Sequence, residues 1–404
     1  MLVAAALLIG IGIATIYAVG HPAEKSPTTQ TEDLTVYWKR QVGFAFVGLA
    51  GFVIVNLINY RWWGTASYWL LGVVIVLLVL LLVSKYLPTP LPFAKPKAGT
   101  YRWIWITVGG RTSPSLQPSE FCKVAYIMAL AWYLRYRSNY SSFKALVGPF
   151  ALALLPMVLI LPEPDLGTVM LMMPILFIML FVAGARVKHL LLIILMAILV
   201  SPLLWYKMDR YQRTRISSVV LQSAWVREKA ERHPAVGRFL VGTEFTTKKW
   251  KNDWGYQLIR SKYAIASGGI DTATGYGFRQ GPFVKYGFLP ARHNDFIFSV
   301  IAHQWGFWGC LGLLALYVII VSCGLEIAAN NTDPFARLFA TGIVAMFVVE
   351  VLVNVGMSVG LMPITGLTLP LVSYGGSSLL VSMASIGLLN NIGRSRPFSV
   401  APKK

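Results

Sequence analysis

Charge is what this chain has least of. Only 13% of its 404 residues are Asp, Glu, Lys or Arg, about half the roughly 25% share of a soluble domain. Acidic residues are the scarcer sign, 16 against 36 basic ones. Cysteine is nearly missing too. Cys122, Cys310 and Cys323 each fall inside an apolar run, which favours buried thiols over a disulfide framework. The few histidines and cysteines show no zinc spacing. No strand precedes Ser267-Gly-Gly269, Gly275, Gly277 and Gly281, so there is no dinucleotide fingerprint. No Ser-His-Asp set stands out either. These absences argue against a zinc enzyme, a nucleotide-cofactor enzyme and a disulfide scaffold.

What is present is hydrophobic residue, 56% of the chain, in charge-free runs such as Leu70–Val83 and Leu190–Trp205. About 20 apolar residues cross a bilayer as a helix. On that rule about ten spans are expected, near 1–20, 41–59, 66–84, 116–134, 145–162, 167–184, 188–206, 296–322, 337–361 and 369–392. The first has no basic segment before it, so it reads as a span and not a cleaved signal peptide. The fold class is an all-α polytopic membrane protein, with 1–404 as a single membrane domain. Two connections are long: 85–115, with the Pro-rich Leu87–Pro92, and 207–295. An even span count puts both termini on one side. Arg394, Arg396, Lys403 and Lys404 after the last span favour the cytoplasm for that side. The long loop 207–295 is then extracytoplasmic. It holds 16 Lys/Arg against 7 Asp/Glu, and its segment 224–252 reads as a surface-lying amphipathic helix with a linker. The formal net charge of +20 lies largely on loops between spans. It therefore points to anionic lipid or a phosphorylated substrate before nucleic acid.

Ionisable residues at membrane depth are functional candidates by default. Glu120 and Lys123 share one helix face by their spacing. They read either as a structural ion pair or as a cation held ready for an anionic ligand. Pro164 interrupts an apolar stretch, and Asp165 with Thr168 would cap the helix that follows. Asp295 lies at the outer end of the eighth span, partly desolvated yet within reach of water. That position suits a general base or a metal ligand; His293 reads as its hydrogen-bonding support. Arg213 and Arg215, just beyond span seven at headgroup level, suit phosphate recognition or attraction to anionic lipid. Gly360–Pro370 and Ser373–Ser378 offer small and hydroxyl residues for close helix packing.

Four motifs in order carry a resemblance: Gln117-Pro-Ser-Glu-Phe-Cys-Lys123, Pro164-Asp-Leu-Gly-Thr168, His293-Asn-Asp-Phe-Ile-Phe298 and Pro370-Leu-Val-Ser-Tyr-Gly-Gly-Ser-Ser378. Together they resemble the SEDS family, the RodA/FtsW/SpoVE polymerases of bacterial cell-wall peptidoglycan. The resemblance implies ten transmembrane helices in the bacterial cytoplasmic (inner) membrane, with a large extracytoplasmic loop between the seventh and eighth. It implies a glycosyltransferase joining lipid II to a nascent glycan strand with inversion, working with a class B penicillin-binding protein. Asp295 takes the place of the essential aspartate, as base or as holder of a divalent cation (Mg or Mn). Arg102-Trp103 is similar to a family pair, and Glu120, Lys123 and Asp165 match positions lining a central cavity. Trp103 and Ser377, the latter within the last motif, join Arg213 and Arg215 as expected substrate contacts. Two departures stand out. His303-Gln304 replaces the usual Glu-Glu pair, and 224–252 is longer than usual. The segment Leu361–Gly366 leans toward the elongation (RodA) branch. A precursor flippase and a degenerate scaffold are the competing functions.

Overall fold

The computed structural model describes residues 1–23, 36–89, 91–96, 100–108, 111–136, 142–163, 165–269 and 273–395. Pro90, Pro164, Arg396, Lys403 and Lys404, which figure in the sequence reading, lie outside them. The chain opens with α1 (Leu2–Gly20), α2 (Tyr37–Leu57) and α3 (Tyr60–Tyr86). A short antiparallel hairpin follows, β1 (Ile104–Val108) and β2 (Arg111–Leu116). Then come α4 (Pro118–Leu134), α5 (Val147–Ile160), α6 (Leu166–Val182) and α7 (Val187–Lys207). The long loop is itself helical: α8 (Arg210–Val220), α9 (Ala224–Arg232), α10 (Pro234–Val241), α11 (Thr247–Asn252), α12 (Tyr256–Ser267) and α13 (Pro282–Lys285). The chain closes with α14 (Ile297–Ala329), α15 (Pro334–Val359) and α16 (Gly376–Arg394). Among the described residues, seven helices are long and apolar enough to cross a membrane: α1, α2, α3, α5 with its leading turn, α7, α14 and α15. Helix α6 is apolar but shorter; α4 and α16 carry the polar motifs.

The boundaries differ from the windows where polar residues end or start helices. Helix α3 begins at Tyr60 because the Asn59 side chain accepts from the Arg61 amide at 3.0 Å, capping it. The last helix starts at Gly376, seven residues later than hydropathy suggests. Pro370 and Leu371, the latter at φ +66°, keep that stretch out of helix. The hairpin in 104–116 has no counterpart in the sequence reading. Its first strand, Ile104–Val108, is almost wholly apolar, and its second, Arg111–Leu116, is mostly polar and contains a proline, so neither shows a clear alternation.

Helix α15 is the hub. Its spanning window is 78% buried, against 6% for α7, and it packs on α4, α6, α12 and α14. Its core face carries Phe335, Phe339 and Phe347, all essentially inaccessible. Segment 224–252 departs from the expected single helix. It breaks into α9, α10 and α11, whose Ala230, Val241 and Trp250 form a small core with Leu221 and with Phe245 from the link between α10 and α11. The second half of the loop is not peripheral. Helix α12 packs on α14 and α15, where Ser261 Oγ lies 2.6 Å from Ser299 Oγ and donates to the Ser358 carbonyl at 2.7 Å. Gly306 interrupts α14 at φ +59°, and a Cβ there would collide with the Ala273 carbonyl. Only glycine permits that crossing.

Candidate functional site

The turn before α14 delivers Asp295, and the structure fixes its backbone from three directions. Asn354 on α15 donates to the Asp295 carbonyl at 2.9 Å and to the Leu367 carbonyl at 2.7 Å. Ser373 donates to the Asn294 carbonyl at 2.7 Å, and the Tyr374 amide to the His293 carbonyl at 2.9 Å. The His293 ring stacks on Tyr37 with centroids 4.8 Å apart. Every one of these contacts holds main chain or ring and none engages the Asp295 carboxylate.

Its neighbour is Arg215. A Cβ placed on Gly366 would lie 3.5 Å from both Asp295 Oδ2 and Arg215 Nη1, so the two groups face one small space. Gly366 itself sits at φ +77°. Arg215 Nη1 also donates to the Ile364 carbonyl at 3.2 Å, and its guanidinium lies 4.4 Å from the Tyr211 ring centroid. The Asp295 carboxyl is half-buried. Burial raises its pKa above the ordinary carboxylate value; Arg215 and Arg102 oppose the rise and Asp165 adds to it. An open cleft of about 520 Å³ adjoins Arg215, walled by Arg210, Tyr211, Trp254, Gln257 and Ile364. Cations and aromatic faces together suit a phosphorylated sugar.

The other expected residues divide. Asp165 is the N-cap of α6. Its carboxylate accepts from Ser119 Oγ at 2.9 Å, Thr168 Oγ1 at 3.0 Å and Gln117 Nε2 at 3.4 Å. The Gln117 amide in turn donates to Ser377 Oγ at 3.0 Å, tying α4 to α16. Trp103 is half-buried beside Arg102, whose Nε donates to the Glu163 carbonyl at 2.5 Å. Lys123 is 1% exposed and sits between Glu120 Oε2 at 2.8 Å and Glu350 Oε1 at 2.5 Å. In this conformation it is an interior cation neutralised twice over, and the ion-pair alternative describes it. Arg213 turns away from Arg215, as residues two apart on a helix must. It donates to the Met208 and Tyr206 carbonyls at 3.0 and 2.6 Å, closing the end of α7.

Two residues escaped the sequence reading as site members. Asn354 is a lone amide in an apolar span, which was the available signal. Glu163 is 1% exposed, and neither carboxyl oxygen has a hydrogen-bond partner among the described residues. Burial, with Asp165 adding and Arg102 and Lys85 opposing, pushes it up to about 9. Glu163 is therefore protonated at neutral pH.

The His303-Gln304 pair lies on the first turns of α14, eight and nine residues after Asp295. Both residues are fully buried and bind the glycine-rich segment before α13. His303 Nδ1 meets Ser267 Oγ at 2.8 Å, and Gln304 Oε1 accepts from the Arg279 amide at 2.9 Å. The His303 ring packs on Tyr276 and Phe283, with centroids 4.7 and 5.3 Å away. Restoring the acid by His303→Glu is expected to destabilise the protein by at least about 2 kcal/mol, because it buries an unpaired carboxyl. Thermal unfolding in detergent checks this; an unchanged midpoint would contradict it.

The site thus defines a class: a polytopic helical membrane protein with a desolvated carboxylate facing an arginine at one membrane face, above a charged interior. A family profile described as "Cell cycle protein", that of FtsW, RodA and SpoVE, matches residues 1–397. The chain belongs to this family. It is 30% identical over 436 aligned positions to a protein of Treponema pallidum named "Peptidoglycan glycosyltransferase RodA", covering 95% of this chain and 94% of that one. It is 33% identical over 387 positions to a "Probable peptidoglycan glycosyltransferase FtsW" of Trichlorobacter lovleyi, covering 95% and 90%. A chain from a structure titled "Structural coordination of polymerization and crosslinking by a peptidoglycan synthase complex" superposes with a TM-score of 0.71 at 27% identity, covering 97% and 96%. Relatives from both the RodA and FtsW branches match at similar identity.

Proposed function

We propose that this protein is a peptidoglycan glycosyltransferase that joins lipid II disaccharide units into glycan strands. The observation that carries the reading is the Asp295–Arg215 juxtaposition across Gly366. Asp295 accepts the proton of the acceptor sugar hydroxyl. The freed oxygen attacks the anomeric carbon of the lipid-linked donor from the face opposite the diphosphate. The bond from that carbon to the diphosphate oxygen breaks, and the product is inverted. Charge grows on the departing lipid diphosphate, and Arg215 meets it. Arg210 and the aromatic walls of the adjoining cleft seat the rest of the substrate. A raised pKa makes Asp295 a better base than a solvated carboxylate.

Among the described residues no three His, Cys, Asp or Glu converge as a metal site. Mg²⁺ characteristically takes one or two carboxylates and completes its shell with substrate phosphates. Asp295 fits that pattern, and an Mg²⁺ or Mn²⁺ ion held there with the diphosphate would supply further neutralisation of the leaving group. Ten spans, with α4, α6 and α16 completing the seven apolar ones, would keep both termini on one side of a bacterial inner membrane, and the basic residues after the last span favour the cytoplasm for that side. The loop 207–295 then works outside, where a class B penicillin-binding protein would crosslink the product.

Two observations weigh against the competing functions. A flippase needs a polar route, whereas Lys123, Glu120 and Glu350 are joined to one another and nearly inaccessible. A degenerate scaffold was motivated by His303-Gln304, and that pair serves packing. Polymerisation of purified lipid II into glycan strands tests the proposal, with a one-leaflet lipid II liposome assay alongside. Translocation without polymerisation would replace the enzyme by the flippase. The two loop arginines separate sharply: Arg215→Ala is expected to lower polymerisation about a hundred- to a thousandfold, and Arg213→Ala less than about tenfold. Equal losses would remove Arg215 from the reacting centre.

A further inference from the structure

A second polar cavity lies at the opposite end of the helices. It measures about 520 Å³ and is lined by Tyr60, Arg61, Thr65, Trp132, Arg135 and Asp333, among others. From Asp333 to Asn354, the α15 residue that holds Asp295, the helix rises about 30 Å at about 1.5 Å per residue. That is about the thickness of the hydrocarbon core. The cavity therefore sits at the other membrane face from the Asp295 site.

We propose that this cavity binds the phosphate-bearing headgroup of an anionic phospholipid. Arg135 carries the argument. Its guanidinium stacks on the Trp132 ring and lies 4.6 Å from the Tyr136 centroid. Its Nε and Nη1 are shielded from solvent, yet neither has a hydrogen-bond acceptor among the described residues. Shielded donors without acceptors are costly, and a phosphate presents two oxygens at the spacing of the guanidinium fork. Arg61 adds a second cation on α3, its Nε donating to Tyr60 Oη at 3.4 Å. The one carboxylate in the cavity is already engaged. Asp333 accepts from the Phe335 amide at 3.0 Å and from Tyr60 Oη at 2.9 Å, capping α15.

The surroundings favour a lipid over a soluble anion. Trp62 is 72% exposed and Tyr136 79% exposed at this rim, and aromatic side chains of that kind mark the headgroup level. Basic pockets between spanning helices bind anionic headgroups.

The test uses the full-length protein in detergent, with retention of phosphatidylglycerol against phosphatidylcholine read by native mass spectrometry. Wild type is expected to retain phosphatidylglycerol selectively. The Arg61→Gln/Arg135→Gln double variant should lose at least about tenfold of that retention. Thr65→Glu provides a second arm should the double variant fold poorly: it places a carboxylate on the exposed rim without disturbing Arg135, and should lower retention in the same direction. Unchanged retention in a folded variant, or no selectivity in wild type, overturns the proposal. Glycerol phosphate binding at this site without selective lipid retention would make it a soluble-phosphate site, and also overturns it.

Discussion

Asp295→Asn is expected to cut lipid II polymerisation by about a hundred- to ten-thousandfold, the usual contribution of a positioned general base. The fold should survive, because Asn354 grips the Asp295 carbonyl and not its side chain. Stability at neutral pH should hold or rise. Burial raises the Asp295 pKa in the folded protein, so the folded state binds the proton more tightly than the unfolded chain. The stabilisation from that proton is complete at pH below the ordinary carboxylate value of 3.8. It is lost as pH rises through the raised folded value. At neutral pH the ionised group is a burden that asparagine removes. Activity shows the same shift from the other side: the acidic limb of the wild-type pH–rate profile should lie above the ordinary carboxylate range. Arg215→Ala should move that limb higher still, since Arg215 holds the pKa down. Polymerisation by the folded Asn variant at wild-type rate would end the assignment of Asp295 as base.

The largest loss of stability is expected from Lys123→Ala. Lys123 joins Glu120 on its own helix to Glu350 on α15, with all three nearly inaccessible. Deleting the cation leaves two carboxylates facing each other in the interior. Breaking a buried pair from one side costs about 3–5 kcal/mol, and here the orphaned groups also repel. The combined Glu120→Gln/Lys123→Met/Glu350→Gln variant should recover most of that loss, because paired charges and a neutral isosteric set are often near break-even. Thermal unfolding of both variants in one detergent decides it. A Lys123→Ala protein as stable as wild type would show that the triad is not the interior clasp its geometry describes.

The triad also has a bearing on the site. Glu350 and Asn354 are one turn apart on α15, so the residue that clasps α4 and the residue that seats Asp295 share a helix face. Ser358, another turn on, accepts from Ser261 of the long loop through its carbonyl. One face of α15 therefore links the spanning helices, the turn that carries Asp295 and the loop helix α12.

Much of this was legible in the sequence. Charge-free runs announced the helices, since apolar length alone suits a bilayer. Asp295 stood out because a carboxylate beside an apolar span is costly and rarely incidental. Asp165 and Thr168 announced a helix start through local capping chemistry, and the structure shows that cap. The less legible parts depended on contacts distant in the chain. Glu120 and Lys123 were recognisable as a pair, but the partner that closes the triad lies on a helix more than two hundred residues later. Arg213 and Arg215 looked equivalent because they share type and neighbourhood; the orientation of α8 against α7 sends one to main-chain carbonyls and the other to Asp295. His303-Gln304 looked like a lost active-site pair, and only the fold of the glycine-rich segment against α14 gives those side chains their packing partners.

The sequence by itself determined that this is a helical membrane protein, and it singled out the carboxylate at the turn before α14 as the candidate for its chemistry, because hydropathy and the cost of buried charge act on local composition. Tertiary structure alone decided which cations face Asp295 and which are neutralised inside, and why Gly366 stands where two charged groups meet. Those are outcomes of how α8, α14, α15 and the 360–375 segment converge, and no local pattern encodes the distances between them.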